Sequence, residues 1–271
     1  DTDTTTVIDL YSLLTGEATG GSWTRLTGTD GTFAAAGTFT PGNITTASST
    51  STFRYTVTGT LPCANATTDV TITVNNAPNA GTATVAPNVV CETDTTTTIN
   101  LASLITGEDT GGTWTRLTGT GGTFATSGTF TPAVGATSST FKYTVAGVAP
   151  CAADDETVSI TINPAPNSGT PTAGSNSYCD TDTTTVIDLY SLLTGEATGG
   201  SWTRLTGTDG AFAAAGTFTP GNITTASSTS TFRYTVTGTT PCANATTDVT
   251  ITVNNAPNAG TATVAPNVVC E

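Results

Sequence analysis

Residues 51–60 read STFRYTVTGT, an alternation of polar and apolar side chains at a period of two. A strand sends successive side chains to opposite faces, so Phe53, Tyr55 and Val57 share one face while Arg54 takes the other. The run returns as Phe141-Lys142-Tyr143 and as Phe232-Arg233-Tyr234. Working outward, residues 69–76 (DVTITVNN) alternate Val70, Ile72 and Val74 with threonine, residues 21–26 (GSWTRL) carry Trp23, and residues 37–41 read GTFTP. Upstream, Ile8 and Leu10 occupy the parity held in the second copy by Ile99 and Leu101, while the positions between them drift between polar and apolar, so this parity marks the inward face. Nothing shows sustained helical periodicity. About seven short strands per ~90 residues, punctuated by Gly, Pro and Asn, predict an all-β fold of antiparallel sandwich modules.

The modules keep step. DTTTVIDLYSLLTG at Asp3 recurs as DTTTTINLASLITG at Asp94 and again unchanged at Asp182, and Trp23, Trp114 and Trp202 follow the same spacing. Residues 1–92 and 180–271 differ only at Thr32 against Ala211 and Leu61 against Thr240, which points to duplication of a two-module unit. The stretches NNAPNAG and NPAPNSG read as linkers. They divide the chain into a module at 1–75 lacking its first strand, modules at 76–163 and 164–254, and a segment 255–271 that forms the first strand of a following module. The chain therefore reads as a window on a longer, elongated array. In such an array a segment equivalent to 255–271 is expected to cover the open edge of the module equivalent to the first, since an uncovered edge invites aggregation.

Composition narrows the function. Threonine-rich strands and 36% hydrophobic residues allow a slim core in each module. Twenty acidic residues against six basic ones give a net charge of −14, which repels phosphate backbones and anionic lipid surfaces. Nucleic acid is therefore an unsuitable partner. No apolar run approaches the ~20 residues of a membrane helix, so membrane insertion is not expected. Histidine is absent and lysine occurs once, at Lys142, which removes catalytic triads and Schiff-base sites. The remaining carboxylates fall in turns repeated with the module, as structural residues would, and the chain is read as not an enzyme.

The openings VVCETDTTTTINL and SYCDTDTTTVIDL, followed by GTWTRL or GSWTRL, FRYTV and the close PCANATTDVTITV, resemble the PKD-like and immunoglobulin-like repeats of giant Bacteroidota surface adhesins, the gliding-motility adhesins among them. A Trp in the third strand and a Tyr in the penultimate one fit the immunoglobulin-like core. The resemblance implies export by type IX secretion, display on the extracellular cell surface, and a structural stalk or filament in adhesion or gliding. Partners would be neighbouring modules, surface glycans or a gliding and secretion apparatus. The alternative is that each module is a carbohydrate-binding, lectin-like unit, with Arg25, Arg116 and Arg204 beside their tryptophans as a sugar platform. A core Trp, with the Arg covering it or pairing with a nearby carboxylate, is the plainer reading.

Six regularly spaced cysteines in a secreted-looking chain point to disulfides rather than zinc, because no CxxC pair exists. Two connectivities stay open. Either Cys91 pairs with Cys151 and Cys179 with Cys242, leaving Cys63 and Cys270 with partners outside the window, or the cysteines of a module lie at opposite ends and Cys91 pairs with Cys242 as an inter-module staple. No cofactor is expected, although Asp1, Asp3, Glu92, Asp94, Asp180 and Asp182 form acidic loops that are calcium candidates. Asp-Thr-Thr resembles the O-glycosylation sequence of Bacteroidota and makes Thr4, Thr95 and Thr183 candidate acceptors. Asn43, Asn65, Asn222 and Asn244 lie in Asn-x-Thr sequons.

Overall fold

The computed structural model describes residues 4–84, 88–174 and 176–262. Among these, one compact unit gathers module one and module two through Thr161, without residues 89–95 and 132–136. The other gathers those two short segments and the chain from Ile162 onward. Among the described residues all regular structure is β apart from single turns of 3-10 helix.

In module one, β1 (Ser22–Thr27), β2 (Ser48–Val57) and β3 (Ala66–Asn75) form an antiparallel sheet with β2 in the middle, and the register sets Trp23 opposite Tyr55 and Phe53 opposite Val70. A second small sheet is ordered Ile8–Asp9, Thr38–Thr40, Thr32–Ala34. The two sheets meet through aromatic rings, with the Phe39 and Phe53 centroids 5.0 Å apart and those of Phe33 and Phe53 5.2 Å apart. Module two repeats the plan with β4 (Thr113–Arg116), β5 (Ser139–Val145) and β6 (Asp154–Asn163). Module three has β7 (Ser177–Cys179), β8 (Ser201–Thr206), β9 (Ser227–Val236) and β10 (Ala245–Asn254) in the order β7-β10-β9-β8, and β7 runs parallel to β10. Two sheets built from alternating strands around one apolar layer per module make the chain an all-β series of immunoglobulin-like sandwiches.

The continuous strand expected through Ile8 and Leu10 stops early. It covers only Ile8–Asp9, and Leu10–Leu13 turns into a 3-10 helix capped by the Asp9 carboxylate, which accepts the Tyr11 amide at 3.0 Å. Asn100 and Asp188 cap the same turn in the other modules. Asp and Asn compete for nearby backbone in this way, and the cap ends the strand. The inward parity holds through the change, since Leu10, Leu101 and Leu189 are fully buried.

A tyrosine on the central strand clamps a loop in every module. Tyr234 Oη donates to the Ala197 carbonyl at 2.7 Å and accepts from the Gly200 amide at 3.0 Å, as Tyr55 does with Ala18 and Gly21. Removing the hydroxyl leaves two partly buried backbone groups without their partner. Tyr234→Phe is expected to lower the unfolding free energy by about 1–3 kcal/mol, and urea denaturation of the two proteins checks it.

Candidate functional site at the module junctions

The sequence-derived candidates fall into two groups, those turned into the core and those gathered where one module meets the next. Trp23, Trp114 and Trp202 are 2–3% exposed, so they present no platform to a sugar. Trp202 is held against Gly216, whose φ of 94° suits glycine and whose added Cβ would sit 2.8 Å from the indole. The arginines do not cover the tryptophans. Arg25 lies 5.5 and 5.7 Å above the Phe39 and Phe53 rings, and its Nη2 donates to Ser51 Oγ at 2.7 Å and to the Asp30 carbonyl at 2.6 Å. Arg204 does the same over Phe218 and Phe232 with Ser230 and Asp209. Burial lowers the pKa of Arg116 and Arg204 from the usual arginine value. These guanidiniums tie a loop to the core.

The outward arginines form ion pairs instead. Arg54 Nε and Nη2 bind the two carboxylate oxygens of Asp69 at 2.7 and 2.8 Å, and Arg233 binds Asp248 likewise. The hydrogen bond from the guanidinium pulls each carboxyl below its ordinary range. Pairs as exposed as these contribute little to stability.

The junction between modules two and three is covalent. Cys91 and Cys242 are bonded with an S–S distance of 2.01 Å, while Cys151 and Cys179 are free thiols. The pairings Cys91–Cys151 and Cys179–Cys242 are therefore corrected. The reason is strand direction: the first cysteine of a module ends its first strand at one end of the sandwich, and the second lies in the loop before the last strand at the other end. The end of one module then meets the start of the next. Each second cysteine follows a cis X-Pro bond, at Leu61-Pro62, Ala149-Pro150 and Thr240-Pro241.

Hydrogen bonds frame the staple. Asn163 Nδ2 donates to the Thr240 carbonyl at 2.9 Å, the Glu92 amide donates to the Asn163 carbonyl at 3.0 Å, and Glu92 Oε1 accepts the Ala165 amide at 2.9 Å. The junction between modules one and two uses the same Asn. Asn75 Nδ2 donates to the Ala149 carbonyl at 2.8 Å, and Asp154 Oδ2 accepts the Ala80 amide at 2.8 Å. Asparagine at the end of the last strand and an acidic residue beside the cysteine were therefore functional positions. In the sequence, Asn163 looked like ordinary linker, and nothing local marked its partner 77 residues away.

The acidic loops spend their oxygens on backbone. Glu92 takes the amides of Ala165 and Gly135, Asp180 takes that of Ala256, and Asp182 takes that of Cys179. Among the described residues no three acidic, Cys or His side chains converge as a metal requires. Asp1 and Asp3 lie outside the described residues, as does Cys270. Thr4, Thr95 and Thr183 are exposed, as are Asn43, Asn65, Asn222 and Asn244 or their immediate turns. Asn65 and Asn244 use their side-chain oxygen to accept the Gly59 and Gly238 amides at 3.0 Å. No described helix is long and apolar enough to cross a membrane.

No family model matches the chain, and no curated protein matches its sequence. Among solved structures it is similar to Drosophila N-cadherin EC1-4, at 13% identity over 88% of this chain and 67% of that one, with a TM-score of 0.39. Human protocadherin-24 EC1-2 aligns at 12% identity over 68% of this chain and 100% of that one, with a TM-score of 0.37. Sidekick-1 immunoglobulin domains 1-5 align at 15% identity over 87% and 52%, with a TM-score of 0.30. At such scores these are likenesses only, and the fold assignment rests on the strand order and register above.

Proposed function

We propose that the chain is the repeat region, a stalk or filament, of a secreted bacterial cell-surface adhesin. The observation that carries this reading is the junction at Cys91–Cys242, which ties successive copies of one repeated module to one another rather than shaping a pocket. Such tandem units act as spacers whose stability is a sum of cores and neighbour interfaces. The disulfide supports an oxidising, extracellular setting. Export by type IX secretion, a part in gliding motility and sugar on Thr4, Thr95 and Thr183 follow from the sequence resemblance. Its divisions at 1–75, 76–163, 164–254 and 255–271 describe the repeat. Burial of the three tryptophans takes away the platform on which the lectin-like alternative depended.

An antibody raised against the folded chain is expected to label intact, unpermeabilised source cells and to lose that label after brief external proteolysis. Labelling that appears only after lysis would reject the surface reading.

A further inference from the structure

The Cys91–Cys242 disulfide presents two unlike ends. Both residues are 6% exposed, and the groups that surround them belong to the unit that gathers residues 89–95, 132–136 and the chain from Ile162. Cys242 Sγ lies 3.5 Å from the Asn163 carbonyl oxygen and 3.6 Å from that of Pro164. Two carbonyl oxygens turn partial negative charge toward this sulfur, and the reagent that opens a disulfide is a thiolate anion. Cys91 Sγ has the opposite neighbour. The Thr93 hydroxyl donates to it at 3.3 Å. A donor so placed stabilises negative charge on sulfur, which makes Cys91 the better leaving group.

One residue pins the segment beside Cys242. The Glu92 amide donates to the Asn163 carbonyl at 3.0 Å and Glu92 Oε1 accepts the Ala165 amide at 2.9 Å, so residues 163–165 are held at both ends. Glu92 Oε2 accepts the Gly135 amide at 3.3 Å, which ties the same carboxylate to the loop at 132–136. From the other side, Asn163 Nδ2 donates to the Thr240 carbonyl at 2.9 Å, close before Cys242 in the chain. The two carbonyls that flank the sulfur therefore stay in place as long as Glu92 keeps its bonds.

We propose that this junction is a guarded redox lock with a fixed direction of opening. An incoming thiolate attacks Sγ of Cys242, Cys91 leaves, and Glu92 is the positioning residue that keeps residues 163–165 across the path of attack. The thiolate sulfur bonds to Cys242 Sγ as the Cys91–Cys242 bond breaks. The bonding pair passes to Cys91 Sγ, which holds the Thr93 hydrogen bond and then takes a proton from water. A second small-molecule thiol releases Cys242, so two thiols of the reagent are oxidised to one disulfide while the junction gains two thiols. When Glu92 lets go, the staple opens while the sandwiches stay folded. The inference concerns the chemistry of the joint and is independent of surface display.

The full chain is treated with N-ethylmaleimide to cap its free thiols, exposed to reduced glutathione without denaturant, quenched in acid at intervals and mapped by mass spectrometry. At early times glutathione is expected on Cys242, with Cys91 a free thiol. Glutathione on Cys91, or on both equally, would overturn the direction of opening. Glu92→Gln sets an N–H against one of the two backbone amides and should speed opening by about tenfold or more. Thr93→Val should slow it by about threefold or more and Thr93→Ser should restore the rate. A hydroxyl that only supported the fold would give faster opening when lost. Ile251, fully buried and paired with Ser230, lies well along β10 from the joint. If opening ran through global unfolding, Ile251→Val would speed it about two- to twelvefold, whereas the guarded route predicts no change. An unaltered rate in Glu92→Gln, an unaltered or faster one in Thr93→Val, or a faster one in Ile251→Val would overturn the proposal.

Discussion

Opening the Cys91–Cys242 disulfide, by reductant or by Cys242→Ser, is expected to cost the unit around module three about 3–5 kcal/mol of stability. The bond joins residues 151 apart in sequence, and in the chain-entropy model a loop that long removes about 5 kcal/mol of conformational freedom from the unfolded ensemble. Engineered and native bridges alike deliver somewhat less than the model, hence the range. The slim core makes the loss weigh heavily, because a module of this size has little burial in reserve. Hydrogen exchange of the β10 amides, Val249 to Val253, reads the change directly with and without reductant. Cys63→Ser, at an exposed unbonded thiol, should leave those rates alone. Equal protection in the oxidised and reduced chains would show that the staple does not stabilise the junction.

Phe232→Ala should be as damaging, by about 3–5 kcal/mol. Phe232 is fully buried on the central strand of module three, with the Phe218 and Phe212 centroids at 5.0 and 5.3 Å and the Arg204 guanidinium 5.6 Å above its ring. Truncation opens a cavity where the two sheets meet and takes one aromatic face from a guanidinium whose Nη2 is already committed to Ser230 and Asp209. Leu205→Ala, on the same sheet but 44% exposed, should cost well under half as much. Chemical denaturation of the three proteins side by side decides it, and a Phe232→Ala protein as stable as Leu205→Ala would mean the inter-sheet layer is not the core.

What the sequence made legible was whatever followed from alternation. Phe53, Tyr55 and the tryptophans are core residues because a period of two places them inward, and the structure puts them there. The Ile8–Leu10 stretch had the right parity and the wrong backbone, since Asp9 caps a helical turn that periodicity over so few residues does not reveal. Arg25 was read as covering its neighbouring Trp or pairing with a carboxylate, yet its partners include two phenylalanines and a buried Ser51 that looks like any other residue in a Ser/Thr-rich strand. Regular cysteine spacing fits both connectivities equally well. Strand direction decides between them, and it becomes visible only when the first strand is seen running parallel to the end of the last. The acidic loops looked like cation ligands for a similar reason, because the amides that occupy Glu92 and Asp180 lie 73 and 76 residues away.

The position of the Cys91–Cys242 disulfide also decides how the chain would carry a pull along its backbone. Tension arriving at Cys91 passes through two sulfur atoms to Cys242, and the polypeptide between them is bypassed. Unfolding that stretch while the bond holds releases none of its roughly 500 Å of contour length, at about 3.5 Å per residue. An oxidised chain of such modules would behave under load as a short tether, and a reduced one as a long, yielding spring.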